Sequence, residues 1–154
     1  MIHSIPKNNL VSEWKDQLEK DSYLKINLVL AGVIVIIMAY SGFFSPEKNN
    51  YPVVCLHEKI TGEPCASCGL SHSLSLLLRG RFDEAYTWNR YGFLVFLFFS
   101  GQLFIRILNS VRYIKCPEYR PKIILFDIIV SALMFAVAFY PYFRQIILEF
   151  RMSL

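Results

Sequence analysis

The chain has 154 residues, of which 55% are hydrophobic, 16% aromatic and 18% charged, a balance too apolar for a soluble domain of this length. Its apolar residues gather into blocks near the roughly 20 residues that cross about 30 Å of hydrocarbon. The net charge of +4 comes from Lys and Arg beside those blocks, with no basic run interleaved with aromatics, so the expected partner is the lipid bilayer and not nucleic acid.

Residues 8–24 set Leu10, Val11, Trp14 and Leu18 at helical spacing, with Glu13, Lys15, Asp16, Glu19 and Lys20 on the other faces. This is the pattern of a helix lying in the membrane interface, with a solvated helix leading into a span as the alternative. The segment lacks the layout of a signal peptide, so the apolar block after it is expected to stay as an uncleaved anchor. That block, residues 26–44, has no ionisable group except a tyrosine phenol and is bracketed by Lys25 and Lys48, which predicts the first span. Pro46 and the polar residues around it then end the helix.

Residues 51–90 are too broken to span and predict a structured cysteine cap. Leu70, Leu74, Leu77 and Leu78 fall at i, i+4, i+7 and i+8, Ser67, Ser71 and Ser75 line another face, and Gly80 provides a stop. A helix of roughly fifteen residues would reach only about 22 Å, so it is read as half-inserted or interfacial. Asp83 is expected to cap a second short helix, residues 84–89, which brings Tyr86, Trp88 and then Tyr91 to the membrane boundary as an aromatic belt.

Residues 91–108 predict the second span, interrupted by Ser100-Gly101-Gln102, where small residues permit close approach and Gln102 needs an interhelical partner. A basic loop is expected over residues 109–122, broken by Pro117 and Pro121, before a third span at 123–140. Asp127 is the one acid inside an apolar block, and Arg106 is its natural partner if the second and third spans pack antiparallel: a structural ion pair is predicted. In the tail, residues 141–154, Phe143, Ile146, Ile147 and Phe150 repeat at i, i+3, i+4 and i+7. Pro141 can kink the helix without ending it, and the amphipathic tail is a candidate partner-docking element, with plain interfacial anchoring as the alternative. The fold class is therefore an all-α integral membrane protein, one membrane domain over residues 1–154, with three transmembrane helices plus a short half-inserted or interfacial helix carrying the Cys-x-x-Cys motif.

Charge sets the expected orientation. Lys7, Lys15, Lys20 and Lys25 share a side with Arg106, Arg112, Lys115, Arg120 and Lys122, outweighing the basic residues of the cap and tail. The amino terminus is then cytoplasmic, and the cap and carboxyl terminus periplasmic. Cys55, Cys65 and Cys68 would face an oxidising compartment and Cys116 a reducing one. Three chemistries compete at the cap. A disulfide from Cys55 to Cys65 or Cys68 would pin the cap and leave one cysteine over. A zinc site could use Cys55, Cys65 and Cys68 with His57 or His72, although a single Cys-x-x-Cys is a weak metal signature. Thiol-disulfide exchange with a quinone could use Cys65 and Cys68 at a helix amino terminus, where the macrodipole stabilises a thiolate. His72 also reads as an ordinary hydrogen-bonded helix residue, and no complete catalytic set is legible.

Cys55, Thr61-Gly62, Pro64-Cys65, Cys68-Gly69-Leu70-Ser71, Leu78, Gly80, Phe82, Ala85 and Asn89 together resemble a family of small bacterial membrane proteins of unknown function. Its pattern is a cysteine, then Thr-Gly-x-Pro-Cys-Pro-x-Cys-Gly-x-Thr-Arg, a short helix and an Asn-Pro before a span. Here Ala66, His72 and Arg90 replace proline, arginine and proline. The resemblance implies an integral membrane protein of two or three spans with the cysteine segment at one face, and supplies no reaction; the location expected for the chain is the bacterial inner membrane. The functional expectation is a non-enzymatic structural or interaction subunit of an inner-membrane assembly with other membrane proteins as partners. The alternatives are the quinone-linked oxidoreductase and a metal-binding sensor or transport accessory.

Overall fold

The computed structural model describes residues 18, 20–43 and 67–152. Within them the chain forms helix α1 (Ser22–Phe43), α2 (Leu70–Leu78), α3 (Phe82–Trp88), α4 (Gly92–Lys115) and α5 (Arg120–Met152), with a 3-10 turn at Pro117–Tyr119 between the last two and no strand among the described residues. Three helical stretches, Ser22–Phe43, Gly92–Lys115 and Pro117–Gln145, are long and apolar enough to cross a membrane. At 1.5 Å per residue, α1 and α4 span about 33 and 36 Å and α5 about 50 Å.

α4 is the axis of the molecule, with α1 and α5 packed along it and α2 and α3 set across its start. Side-chain contacts fix the direction of each neighbour. Asn27 near the start of α1 meets Ser110 near the end of α4, and Asp127 near the start of α5 meets Arg106 of α4. Both outer spans therefore run antiparallel to α4. The start of α1, the end of α4 and the start of α5 share one face, here the turn face, while α2 and α3 cap the opposite one.

The described part of the expected 8–24 helix does not run unbroken into the first span. Asp21 is non-helical, and its Oδ1 accepts the Tyr23 amide at 3.0 Å, which is the geometry of an N-cap that starts α1 afresh. The cap helix α2 has nine residues where the leucine spacing predicted roughly fifteen. Gly69 at φ 75° sets its beginning and Gly80 at φ 74° its end. At that end the Gly80 amide donates to Leu77 O and the Arg81 amide to Leu76 O, both at 3.0 Å, a Schellman closure that needs the left-handed glycine. The serine stripe also divides: Ser75 is buried with Ser73, Ser71 is half-buried and Ser67 is exposed.

α3 begins at Phe82, so Asp83 stands in its first turn with Glu84 and does not cap it. The expected basic loop is mostly helix, since α4 continues to Lys115. Asn109 and Tyr113, which read as loop residues, face inward and find partners on neighbouring elements. Pro121 enters α5 in its first turn, where a missing amide breaks no intrahelical bond, and Pro141 is carried inside the continuous helix. The tail is thus an extension of the third span as far as Met152.

Candidate functional site: a charged three-helix junction and a glycine-knotted cap

Along α4, Gln102, Arg106, Asn109 and Tyr113 fall at i, i+4, i+7 and i+11, which puts four polar side chains on one face of an otherwise apolar helix. Gln102, Asn109 and Tyr113 are buried, as are Asn27 on α1 and Asp127 on α5. In hydrocarbon such groups must meet one another, and here they do. Arg106 Nη1 donates to Asp127 Oδ2 at 2.7 Å and to Asn27 Oδ1 at 2.5 Å. Its other terminal nitrogen donates to Ser131 Oγ at 3.2 Å and Gln102 Oε1 at 3.4 Å.

Asp127 is served from both sides. Asn109 donates to its Oδ1 at 3.2 Å and the Tyr23 hydroxyl to its Oδ2 at 3.1 Å. Tyr23 packs its ring on Tyr113 at 4.7 Å, and the Tyr113 hydroxyl reaches Asp21 at 2.8 Å. One carboxylate and one guanidinium therefore join all three spans. Chemically the junction holds a fixed charge pair whose carboxylate already accepts from three donors. Arg106 Nε is buried without a partner among the described residues, beside a cavity of about 220 Å³ between α1 and α4.

The cap is held by backbone as much as by side chains. A Cβ on Gly69 would come within 2.6 Å of the Trp88 carbonyl oxygen, and one on Gly92 would overlap the Ser73 side chain. Both glycines let the start of α2 sit directly against the α3–α4 connection. Asn89 ties that contact: its Nδ2 donates to Cys68 O at 3.0 Å, its Oδ1 accepts the Tyr91 amide at 2.9 Å, and its own carbonyl accepts from Ser73 Oγ at 3.3 Å. Arg79 reaches across to α1, donating to Gly42 O at 2.8 Å while also contacting Ser75. On the outer surface of α3, Arg81 pairs with Glu84, with Nε 2.6 Å from Oε1. That donation holds the exposed Glu84 carboxyl below its ordinary range.

The sequence-predicted residues separate into three groups. Arg106 and Asp127 are brought together. Cys68 is half-buried in the turn before α2, and His72 stacks on Trp88 at 4.1 Å and 8°; Trp88 and Tyr86 are exposed, as an aromatic belt requires. Cys55, His57 and Cys65 lie outside the described residues, and among those described no group of three His, Cys, Asp or Glu side chains is close enough to hold a metal. In the tail Phe143 is 49% and Ile147 65% exposed; the side chains of Ile146 and Phe150 lie outside the described set. Sequence reasoning missed Asn27, Asn109, Tyr23 and Ser131. The repeat of polar residues along α4 is the signal that could have found Asn109, and Asn27 was visible as the one amide in the first apolar block.

Fold and junction define an all-α chain with three helices able to span a membrane, locked by buried polar groups on one face and capped on the other. Residues 55–102 match a family described as a protein of unknown function (DUF2752). The matched stretch covers less than a third of the chain and takes in α2, α3 and the first part of α4. No curated protein and no solved structure matches the chain.

Proposed function

We propose that the chain is a non-enzymatic structural or interaction subunit of an inner-membrane protein assembly, with α5 as the helix that meets the partner. The carrying observation is the unequal use of the helices. α4 is covered by four other helices, whereas α5 packs chiefly along α4 and continues for about 12 Å beyond Arg144. Phe143, just before that extension, and Ile147, on it, are exposed. Ring contacts run from Phe98 of α4 to Phe139 of α5 and on along α5 through Phe135 to Phe143, which holds this part of α5 in place, as suits a helix presented to another protein. The distribution of basic residues supports a cytoplasmic turn face and a periplasmic cap.

Photo-crosslinking tests the reading. A crosslinking residue at position 147 should give a protein adduct of discrete mass that is lost with Phe143→Ser, while one at Leu133, exposed in mid-span, should give lipid adducts. Lipid adducts alone from both positions would sink it.

A second reading, thiol chemistry at Cys65 and Cys68, is supported by the position of Cys68 just ahead of α2, where helical N–H groups favour a thiolate. Zinc held by Cys55, Cys65, Cys68 and His72, or a disulfide from Cys55 to Cys65 or Cys68, are its structural counterparts. Metal analysis combined with thiol counting on the purified full chain distinguishes them: zinc with no disulfide, a disulfide with no zinc, or a reactive thiol that traps mixed disulfides.

A further inference from the structure

A groove at the cap lies apart from the charged junction. α2, α3 and the first turns of α4 enclose about 590 Å³, within the roughly 300–1,000 Å³ of small-ligand sites. Its walls are apolar, built from Leu77, Tyr86, Phe93 and Leu94, and two side chains of opposite charge, Asp83 and Arg90, also line it. Both are exposed, so they stand at its mouth.

The two charges do not neutralise each other. Among the described residues the ion pairs are Arg81 with Glu84 and Arg106 with Asp127; the Arg90 guanidinium instead lies over the Tyr91 ring, 4.8 Å from its centroid. A carboxylate and a guanidinium that share a groove without pairing suit a ligand carrying one cationic and one anionic group a few bonds apart. The depth of the groove names the source. It sits where α4 enters its span, beside the exposed rings of Tyr86 and Trp88, the position that aromatic side chains occupy at headgroup level. The molecules surrounding it there are phospholipids.

We propose that this groove binds one zwitterionic phospholipid with a primary ammonium, its phosphate on Arg90, its ammonium on Asp83 and an acyl chain along Leu77, Phe93 and Leu94. An anionic headgroup would set its net negative charge against the Asp83 carboxylate, and a purely apolar ligand would leave both charges unmatched. The primary ammonium can donate hydrogen bonds to Asp83, which a quaternary one cannot.

Native mass spectrometry of the full chain tests this directly. Delipidated protein in mild detergent is exposed to equal amounts of phosphatidylethanolamine and phosphatidylglycerol. One phosphatidylethanolamine per chain should be retained, several-fold over phosphatidylglycerol. Asp83→Asn should erase that preference, and Arg90→Gln should weaken retention of both lipids. Far-UV circular dichroism checks that the variants keep their helix content, and Leu94→Trp, which fills the groove without touching either charge, should also reduce retention. Equal retention of the two lipids by the wild type, unchanged retention in both charge variants, or a bound polypeptide in place of lipid would overturn the proposal.

Discussion

Removing the Asp127 carboxylate asks most directly what the three-helix junction contributes. In Asp127→Leu the Arg106 side chain, only 12% exposed, keeps its charge and loses the carboxylate 2.7 Å away. Asn109 and Tyr23 lose their acceptor as well. Breaking one side of a buried ion pair costs about 3–5 kcal/mol, and each hydrogen bond lost between membrane helices costs about 0.6 kcal/mol. Against this, Arg106 lies only about 9 Å along the helix from Arg112, close enough to the turn-face headgroups for the stranded guanidinium to draw water or reach outward. The expected loss is therefore at the lower end, about 3 kcal/mol. In the double variant Arg106→Leu/Asp127→Leu both charges go, and most of that loss should be recovered, since a buried pair replaced by apolar side chains is often neutral. Reversible unfolding in mixed micelles, followed by far-UV circular dichroism, measures all four corners of the cycle. A single-variant cost below about 1 kcal/mol, or a double variant less stable than the two singles summed, would refute the reasoning.

Gly69→Ala must hold φ 75° with a Cβ 2.6 Å from the Trp88 carbonyl oxygen, and should cost about 1–3 kcal/mol by thermal denaturation. Asn89→Ala strands the Cys68 carbonyl and the Tyr91 amide and should cost about 2 kcal/mol in the same assay; a Tm equal to wild type for either would show that the knot is not under load. In sealed vesicles of one orientation, an impermeant maleimide should reach Cys116, which is exposed, from the side opposite to a cysteine introduced by Thr87→Cys, and labelling of both from one side would contradict a membrane crossing by α4. The Glu84 carboxyl is depressed in the folded chain by Arg81, so its contribution is present above the ordinary carboxylate range and is lost as pH falls through its lowered value. Glu84→Gln should therefore flatten the decline of Tm between about pH 5 and 3, and an unchanged pH slope would exclude the pair as a contributor.

The three spans were legible because hydrocarbon thickness acts on block length alone: the described helices take in residues 26–43 of the first expected span, 92–108 of the second and all of 123–140. The ends were harder to read. A polar residue at the end of an apolar run can mark a loop or an inward-facing helical position, and composition does not distinguish them; Asn109 and Tyr113 were read the first way and stand the second. Arg106 with Asp127 could be paired because both are too costly to leave in lipid singly. Asn27 and Tyr23 join them only once α1 is known to lie against α4, which is a tertiary fact. In the cap, Gly80 could be read as a helix stop, whereas Gly69 needed coordinates: its left-handed φ starts α2 late, and its missing side chain makes room for the Trp88 carbonyl. Asp83 looked like a cap because its residue type favours that place, but the turn after Gly80 lets α3 begin at Phe82, two residues earlier than expected.

The two polar clusters sit at opposite ends of α4, and each does what the other cannot. Hydrogen bonds from Asn27, Arg106 and Asp127 bind α1 and α5 to the turn end, where buried charge sets which helix faces meet. At the cap end Gly69, Gly92 and Asn89 bind α2 and α3 through close backbone approach, and Arg79 carries the connection to the end of α1. α5 takes part in the first cluster and is held toward the cap end by rings: Phe98 of α4 meets Phe139 at 5.4 Å and Phe135 at 6.1 Å, and Tyr142 stands edge-on to Tyr91 at 5.9 Å. Its register is consequently fixed by buried charge near Asp127 and by apolar ring packing toward Arg144. Ring packing carries no hydrogen-bond direction, so a partner of the kind proposed above, docking on the exposed Phe143 and Ile147, would repack the rings while leaving the Arg106–Asp127 pair intact.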